Sequence, residues 1–365
     1  MTATVRHYVS GGRERGGGIG RLVGNIVDAA AEGGVEHLVT DTRGPRWSVP
    51  GSPLRLSAAL ATLAGDRLAA PRRIQHIHIA GRGSTARKLV LTAAARSIGA
   101  PYVLHLHDYD YARDYTRRSP RLQAAIRAMF AAAERVIVLG NRDAGTMTGL
   151  LGVPAERVEI FHNCVPDPGE TPPRRPGAAP RIVFLGQLSE RKGVPELLQA
   201  LASPSLAALD WQAVLAGDGP VEGYRADADR LGLANRVSMP GWLGLTDTRA
   251  LCADADILVL PSYSEGMAMA VIEGLAHGLA VVTTRVGAHE EAITDGRTGR
   301  FVPVGDVSAL AGALARLVAD PTERARLGSE GRALFLSRFS MSAYMRRLDG
   351  LYDRLVETAR AIPAE

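Results

Sequence analysis

Two short, almost wholly apolar runs, Ile257 to Leu260 and Leu279 to Thr283, constrain this chain more than any other stretch. A strand buried on both faces reads as a continuous apolar run, the pattern of a parallel sheet rather than a half-exposed antiparallel one. Between the runs, Pro261 and Ser262 end the first strand and Ser264-Glu265-Gly266 make a turn. Met267 to Ala276 then have the composition of a helix, closed by Gly278 in the position favoured after a helix. The predicted unit is strand, loop, helix, strand. Its loop lies at the carboxyl end of a strand, where open α/β sheets place their ligands.

Two carboxylates mark this unit. Glu265 stands at the helix mouth and Glu273 about two turns inside, among Met267, Met269, Val271, Ile272 and Leu275. A helix apolar on every face is normally buried, so Glu273 is expected to lack bulk water and to need donors, which a pair of sugar hydroxyls would supply. The free N–H groups at the helix start, from Gly266, Met267, Ala268 and Met269, suit a phosphate. Phosphate at the mouth and hydroxyls along the helix describe a nucleotide sugar. The competing reading is a capping Glu265 and a Glu273 paired with an internal arginine.

A length of 365 residues predicts two domains. The first, residues 1–165, starts with a weak strand at Val5 to Ser10, a glycine-rich loop GGRERGGGIGR and a helix from Leu22 to Ala31. Gly18 and Gly20 in that loop fit a phosphate cradle, but the dinucleotide spacing fails because Val23 stands at the third glycine position. That failure argues against a nicotinamide-dependent dehydrogenase. The stretches IQHIHIA (74–80) and YVLHLHD (102–108) each put two histidines on one strand face. Four such histidines raise the question of a metal site, but no flanking carboxylate pair completes one. The polar, aromatic segment DYDYARDYTRRSP after His107 reads as a mobile loop over an acceptor.

Residues 166–180 are proline-rich and read as the linker. The second domain, residues 181–340, opens with a strand and the loop GQLSERKG. Lys88 and Lys192 are the chain's only lysines among many arginines, so a retained lysine marks a place where a compact ammonium is wanted. A last helix is read within 341–365.

Charge and cysteine usage narrow the partners. The net charge is +5, and residues 1–170 carry 22 Arg and Lys against 15 Asp and Glu. A basic first half suits anionic headgroups or a phosphate-bearing acceptor. Nucleic acid is not expected, since aromatics are 5% and do not interleave with basic residues. Cys164 and Cys252 make no disulfide framework, and no apolar run nears the roughly 20 residues of a membrane span. The expected place is the cytoplasm, with any membrane contact peripheral at its inner face.

Glu265 and Glu273 within PSYSEGMAMAVIEGLAHGLAVV, followed by Val286-Gly287, Glu291 and DGRTG, resemble the signature of family 4 glycosyltransferases. These are retaining enzymes of the GT-B fold, an α/β architecture with two Rossmann-like domains facing across a cleft, and the resemblance implies that the last helix, within 341–365, crosses back to the first domain. The resemblance runs through HLHD, GQLSERKG and GDGP and spans nearly the whole chain. It implies a sugar moved from a nucleoside diphosphate, UDP favoured, to an acceptor hydroxyl in envelope polysaccharide, glycolipid or secondary-metabolite synthesis. By that resemblance Glu265 lies by the donor sugar and diphosphate, Glu273 on the ribose and Lys192 on the diphosphate. His107 touches the donor sugar, with His105 as the alternative, and Gly18 and Gly20 face the donor phosphates. Gln187 stands where the family has arginine, so Arg191 is the candidate replacement; Leu279 and Cys164 also depart from the pattern, replacing proline and glycine. The family's enzymes work without a metal, so none is expected here and no cofactor beyond the co-substrate. A non-catalytic sugar-nucleotide-binding subunit would keep the same residues; donor turnover separates the two.

Overall fold

The computed structural model describes residues 4–30, 35–44, 48, 51–108, 110–169 and 178–361. The chain divides into two compact units, Met1–Cys164 with Met341–Glu365, and Val165–Ser340. Residues 170–177 of the proline-rich linker lie outside the described residues.

The first unit carries strands β1 (Thr4–Val9), β2 (Glu36–Asp41), β3 (Ile74–Ile79), β4 (Tyr102–Leu106), β5 (Arg135–Val138) and β6 (Val158–Ile160). They form one parallel sheet in the order β2-β1-β3-β4-β5-β6. Alternation sorts the side chains into two cores. Tyr8, Ile77, Leu104 and Val136 point to the face covered by helices Gly51–Ala69, Arg82–Ser97 and Pro120–Ala131. Val5, Ile74, Val103 and Ile137 point to the other, which is closed by Leu22 and Ile26 of helix Gly17–Ala30 and by Leu348, Leu351 and Tyr352 of helix Met341–Ala361. The last helix therefore completes the first unit's core.

Two local expectations are corrected here. The glycine stretch is not a loop: Gly12–Arg15 and Gly17–Ala30 are helical, so Gly18 and Gly20 lie in a first helical turn. Gly16 and Gly20 bring two helical pieces together so closely that a Cβ on either would meet the Gly12 carbonyl oxygen, at 2.5 and 2.6 Å. Packing overrides the low helix propensity of glycine. The segment after His107 is likewise not an open loop, because Tyr111–Thr116 is helical and buries Tyr111 and Tyr115. Tyr111 meets Phe130 edge to face, and Asp114 pairs with Arg118 at 2.8 Å. Tyr109 lies outside the described residues.

Lys88 is wholly buried and straps the ends of β1 and β2 together. Its Nζ donates to Thr42 Oγ1 at 2.7 Å and to the Tyr8 carbonyl at 3.3 Å. Burial, helped by the charge of Arg87 and opposed by Asp41, pulls its pKa down to about 7 from 10.5. Between those two values the unfolded chain binds the extra proton, so stability rises with pH across that window, by about 1 kcal/mol per unit. Urea melts at pH 7 and pH 9 are expected to show this slope in the native chain and to lose it in Lys88→Met. An unchanged slope in the variant would show that Lys88 is not its source.

The second unit is a second parallel sheet, of β7 (Arg181–Leu185), β8 (Gln212–Ala216), β9 (Val237–Gly241), β10 (Ile257–Leu260), β11 (Ala280–Thr284) and β12 (Arg300–Val302). Its order is β12-β11-β10-β7-β8-β9. The chain starts in the middle at β7, runs out to β9, then returns to the other side at β10. Such a reversal opens a crevice between the two central strands, β7 and β10, at their carboxyl ends.

Candidate functional site

The loops that follow β7, β8 and β10 meet at that reversal, and glycines let them do so. Gly193 is left-handed, with φ of 72°, and a Cβ there would overlap the Pro261 carbonyl oxygen at the exit of β10. Gly217 and Gly219 press in the same way on the backbone of Gly186 and Leu188. Gly287 seats the 285–288 loop on the Glu265 and Gly266 carbonyls, and the Ala288 N–H donates to Gly266 O at 2.7 Å.

This packing sets Lys192, in the turn Glu190–Lys192, against Glu265. Lys192 Nζ donates to Glu265 Oε1 at 2.5 Å, and Ser262 Oγ donates to the same oxygen at 2.7 Å. Oε2 has Arg191 Nη1 at 3.6 Å. Arg191 is itself held by the Ser264 carbonyl at 2.7 Å, while its own carbonyl accepts from Tyr263 N at 2.8 Å. Glu265 is only 7% exposed. Burial alone pushes its carboxyl up, but the charge and hydrogen bond of Lys192, the Ser262 hydroxyl and the charge of Arg191 outweigh burial and hold it below its usual range. The carboxylate is thus ionised and fixed at neutral pH.

Behind it lies His289, wholly buried, with Nδ1 3.1 Å from Thr283 Oγ1 and 3.2 Å from the Thr284 carbonyl. Burial lowers its pKa against the opposing pull of Glu265. Thr284 Oγ1 donates to the Ser262 carbonyl at 2.5 Å, tying β11 to the same turn. Ser262 and His289 were not among the residues the sequence singled out. The three-residue interval from Ser262 to Glu265 was the available signal, a hydroxyl within local reach of a carboxylate.

The helix begins later than its composition indicates, at Met269 rather than Met267, and runs Met269–Ala276. Gly266, Met267 and Ala268 form the turn leading into it. Glu273 is half-buried, not sealed from water. Within the helix Met269 and Glu273 alone are partly accessible, at i and i+4, and every other position is buried. Four residues is about one turn, so the two share a single open stripe. Gln187, which stands in the missing arginine's place, is exposed in the loop after β7, and Arg191, the candidate replacement, reaches Glu265.

In the first unit His107 follows β4, half-buried, and its Nε2 lies 2.9 Å from His78 Nδ1. His105 is fully buried. Among the described residues two groups of three side chains lie close enough to share a metal ion, His7/His76/His78 and His78/His105/His107. Neither contains a carboxylate. Gly18 is exposed on its helix and Gly20 buried.

Two parallel α/β sheets, one with a reversal that holds a buried carboxylate between a lysine and an arginine, define a two-unit α/β class of protein. Known families narrow the class. Residues 1–164 match the glycosyl transferase 4-like domain, and residues 179–320 match glycosyl transferases group 1. The chain belongs to the group 1 glycosyltransferases, and its fold is GT-B. Among curated relatives, it is 29% identical over 348 residues to the lipopolysaccharide core biosynthesis glycosyltransferase LpsE of Rhizobium meliloti, covering 93% of this chain and 96% of that protein. Among solved structures, sucrose-phosphate synthase from Thermosynechococcus elongatus superposes with a TM-score of 0.79 at 20% identity, covering 98% of this chain and 100% of the other. Anabaena HepE, solved in complex with UDP and glucose, gives 0.74 at 18% identity over 96% of this chain and 100% of its own. No helix among the described residues is long and apolar enough to cross a membrane.

Proposed function

We propose that the chain is a retaining glycosyltransferase that moves a sugar from a UDP-sugar to an acceptor hydroxyl of a cell-envelope glycan or glycolipid. The observation that carries the reading is the fixed set Lys192, Glu265, Ser262 and Arg191 at the β7/β10 reversal. Lys192 has three N–H donors and gives one to Glu265, leaving two for diphosphate oxygens. As the bond to the sugar breaks, charge gathers on the departing diphosphate, where Lys192 and Arg191 stabilise it. Those two cations take the part of a metal, so the transfer itself needs none. Glu265 Oε1 is occupied by Lys192 and Ser262, which leaves Oε2 to accept from a hydroxyl of the donor sugar. Glu273, on the open stripe of its helix, accepts from the ribose, and the amides of 266–269 meet the diphosphate.

UDP is favoured because HepE was solved with it, and an envelope acceptor because LpsE is named for the lipopolysaccharide core. The surface of the first unit adds support for an anionic or lipid-linked acceptor. Its helices Gly51–Ala69, Arg82–Ser97 and Pro120–Ala131 expose Leu54, Leu68 and Val90 beside Arg55, Arg96 and Arg121. Their single carboxylate, Asp66, is buried between Arg6 and Arg73. A peripheral contact with the inner membrane face follows, and sedimentation with anionic vesicles is expected to be strong at low salt and lost at high salt. Absence of salt-sensitive binding would remove the lipid-linked acceptor.

Donor binding is tested by thermal shift with UDP, GDP, ADP, dTDP and NAD. A ligand at 100 times its Kd adds about 2.7 kcal/mol to stability. UDP is expected to raise the melting temperature of the native chain, and Glu273→Ala to lose most of that rise. No shift with any nucleoside diphosphate, or a shift with NAD alone, would sink the transferase reading. In this reading the acceptor hydroxyl attacks the sugar on the face that the diphosphate leaves; retention is read from the anomeric configuration of the product, and a trapped glycosyl–carboxylate adduct would replace that front-face attack with a covalent route.

A further inference from the structure

Six histidines of the first unit gather on one face of its sheet. His37 on β2, His7 on β1, His76 and His78 on β3, His105 on β4 and His107 just after it continue the apolar row Val5, Ile74, Val103 toward the carboxyl ends of the strands. Register places His7 beside His76 and His78 beside His105. His7, His76, His78 and His105 are essentially inaccessible to solvent. Buried imidazoles need partners, and these find them chiefly in one another.

The contacts form two chains. In the first, His37 Nδ1 lies 2.8 Å from His7 Nε2, His7 Nδ1 lies 3.0 Å from His78 Nε2, and His78 Nδ1 lies 2.9 Å from His107 Nε2. In the second, Tyr352 Oη lies 2.6 Å from His76 Nδ1, and His76 Nε2 lies 3.2 Å from His105 Nδ1. The second chain then stops. His105 Nε2 is buried and has no hydrogen-bond partner among the described residues. His105, His78 and His107 each offer one nitrogen within 4.8 Å of the other two.

We propose that His78, His105 and His107 bind a borderline transition-metal ion, Zn²⁺ being the reference case, with His7 and His76 orienting two of the three ligands from behind. His78 Nδ1 and His107 Nε2 face each other across a hydrogen bond of 2.9 Å, and the proton between them must move to the far nitrogen of its ring before both can hold the ion. A tetrahedral ion with Zn–N bonds of 2.0–2.1 Å needs an edge of roughly 3.3 Å, so these rings open by about 0.4 Å to admit it. His105 Nε2 supplies the third lone pair and gains the partner it lacks. The other ring nitrogens of His78 and His105 already have the arrangement that metal-bound histidines require, a hydrogen bond that fixes the ring. With the ion on His78 Nδ1, the proton on His78 Nε2 is given to His7 Nδ1, and that on His7 Nε2 to His37 Nδ1. With the ion on His105 Nε2, the proton on His105 Nδ1 is given to His76 Nε2, and that on His76 Nδ1 to the Tyr352 oxygen. Every ring stays neutral, and burial, the largest influence on each of the three ligands, favours that form. Three nitrogens and no carboxylate select Zn²⁺, Co²⁺, Ni²⁺ or Cu²⁺ over Mg²⁺ and Ca²⁺. Half-buried His107 is the ligand nearest solvent, so the fourth position falls to water. The site does not depend on the transfer reaction, although the resemblance to a metal-independent family argued for none.

The test uses the full chain without a histidine tag, stripped with a chelator and dialysed against Zn²⁺ or Co²⁺. About one equivalent of Zn²⁺ is expected to remain after gel filtration, and Co²⁺ is expected to develop the visible d–d bands of a four-coordinate ion. His105→Ala and His107→Ala, checked for folding by circular dichroism, are expected to lose both signals. His107 lies just beyond the carboxyl end of β4 and is half-buried, so its variant remains informative if His105→Ala does not fold. His76→Phe keeps all three ligands and is expected to weaken binding roughly 10–100-fold. Less than about a tenth of an equivalent on the native chain, or full retention by a folded His105 or His107 variant, would overturn the assignment.

Discussion

Lys192→Ala is expected to slow release of nucleoside diphosphate from the donor by about 10²–10³-fold, with a smaller change in donor KM. Removing one preorganised donor from developing negative charge costs that much where water is excluded, and the Lys192 side chain is only 12% exposed. The substitution also strands Glu265. Native Glu265 is held below its usual pKa, so it contributes stability that is present above the unfolded carboxylate range and lost as pH falls through the folded value. Without Lys192, burial pushes the carboxyl up and that contribution shrinks even at neutral pH. Breaking one partner of a buried pair costs about 3–5 kcal/mol, softened here by Ser262 and Arg191, which stay in place. Lys192→Arg restores the charge but not the compact ammonium, so partial recovery of turnover is expected. Native turnover in Lys192→Ala would remove the lysine from the proposed chemistry.

The second large effect falls on a residue that touches no substrate. Gly193→Ala is expected to destabilise the second unit by roughly 2–5 kcal/mol, from left-handed backbone strain together with overlap on the Pro261 carbonyl. Gly232 supplies the control. It is also left-handed, with φ of 76°, but nothing lies within 4 Å of a Cβ built on it. Gly232→Ala should therefore carry the strain alone, about 1–2 kcal/mol. Urea melts that show a lowered midpoint with an unchanged slope report stability directly. Equal losses in the two variants would mean that the 186–193 loop is not wedged against β10, and that Lys192 is held in place by something else.

These two residues illustrate what a sequence displays and what it conceals. The β10–helix–β11 unit was legible because buried parallel strands leave continuous apolar runs, and Ile257–Leu260 and Ala280–Thr284 are buried throughout. Lys192 stood out because lysine is so rare in this chain. The contacts that fix it were not legible: Gly193 against Pro261 and Lys192 against Glu265 depend on the meeting of two loops, which no local pattern encodes. Residues 12–20 misled because glycine composition predicts a loop, whereas close helix packing at Gly16 and Gly20 makes use of the missing side chains. Glu273 misled differently. Its helix is apolar nearly all round, yet the Met269/Glu273 stripe stays partly open to solvent. The histidine pairs on β3 and β4 showed their period of two, but His7 and His37 join them only through strand register.

The helix Met341–Ala361 has a further consequence, for synthesis rather than catalysis. The second unit, Val165–Ser340, is one continuous segment and can close its core as soon as it leaves the ribosome. The first unit is translated earlier but lacks Leu348, Leu351 and Tyr352 until the last helix emerges. The usual order of vectorial folding, in which the N-terminal domain finishes first, is therefore reversed. A nascent chain holds Val5, Ile74 and Val103 covered only in part, by Leu22 and Ile26, through the whole translation of its other half, and it is this first-made face that a chaperone would have to guard.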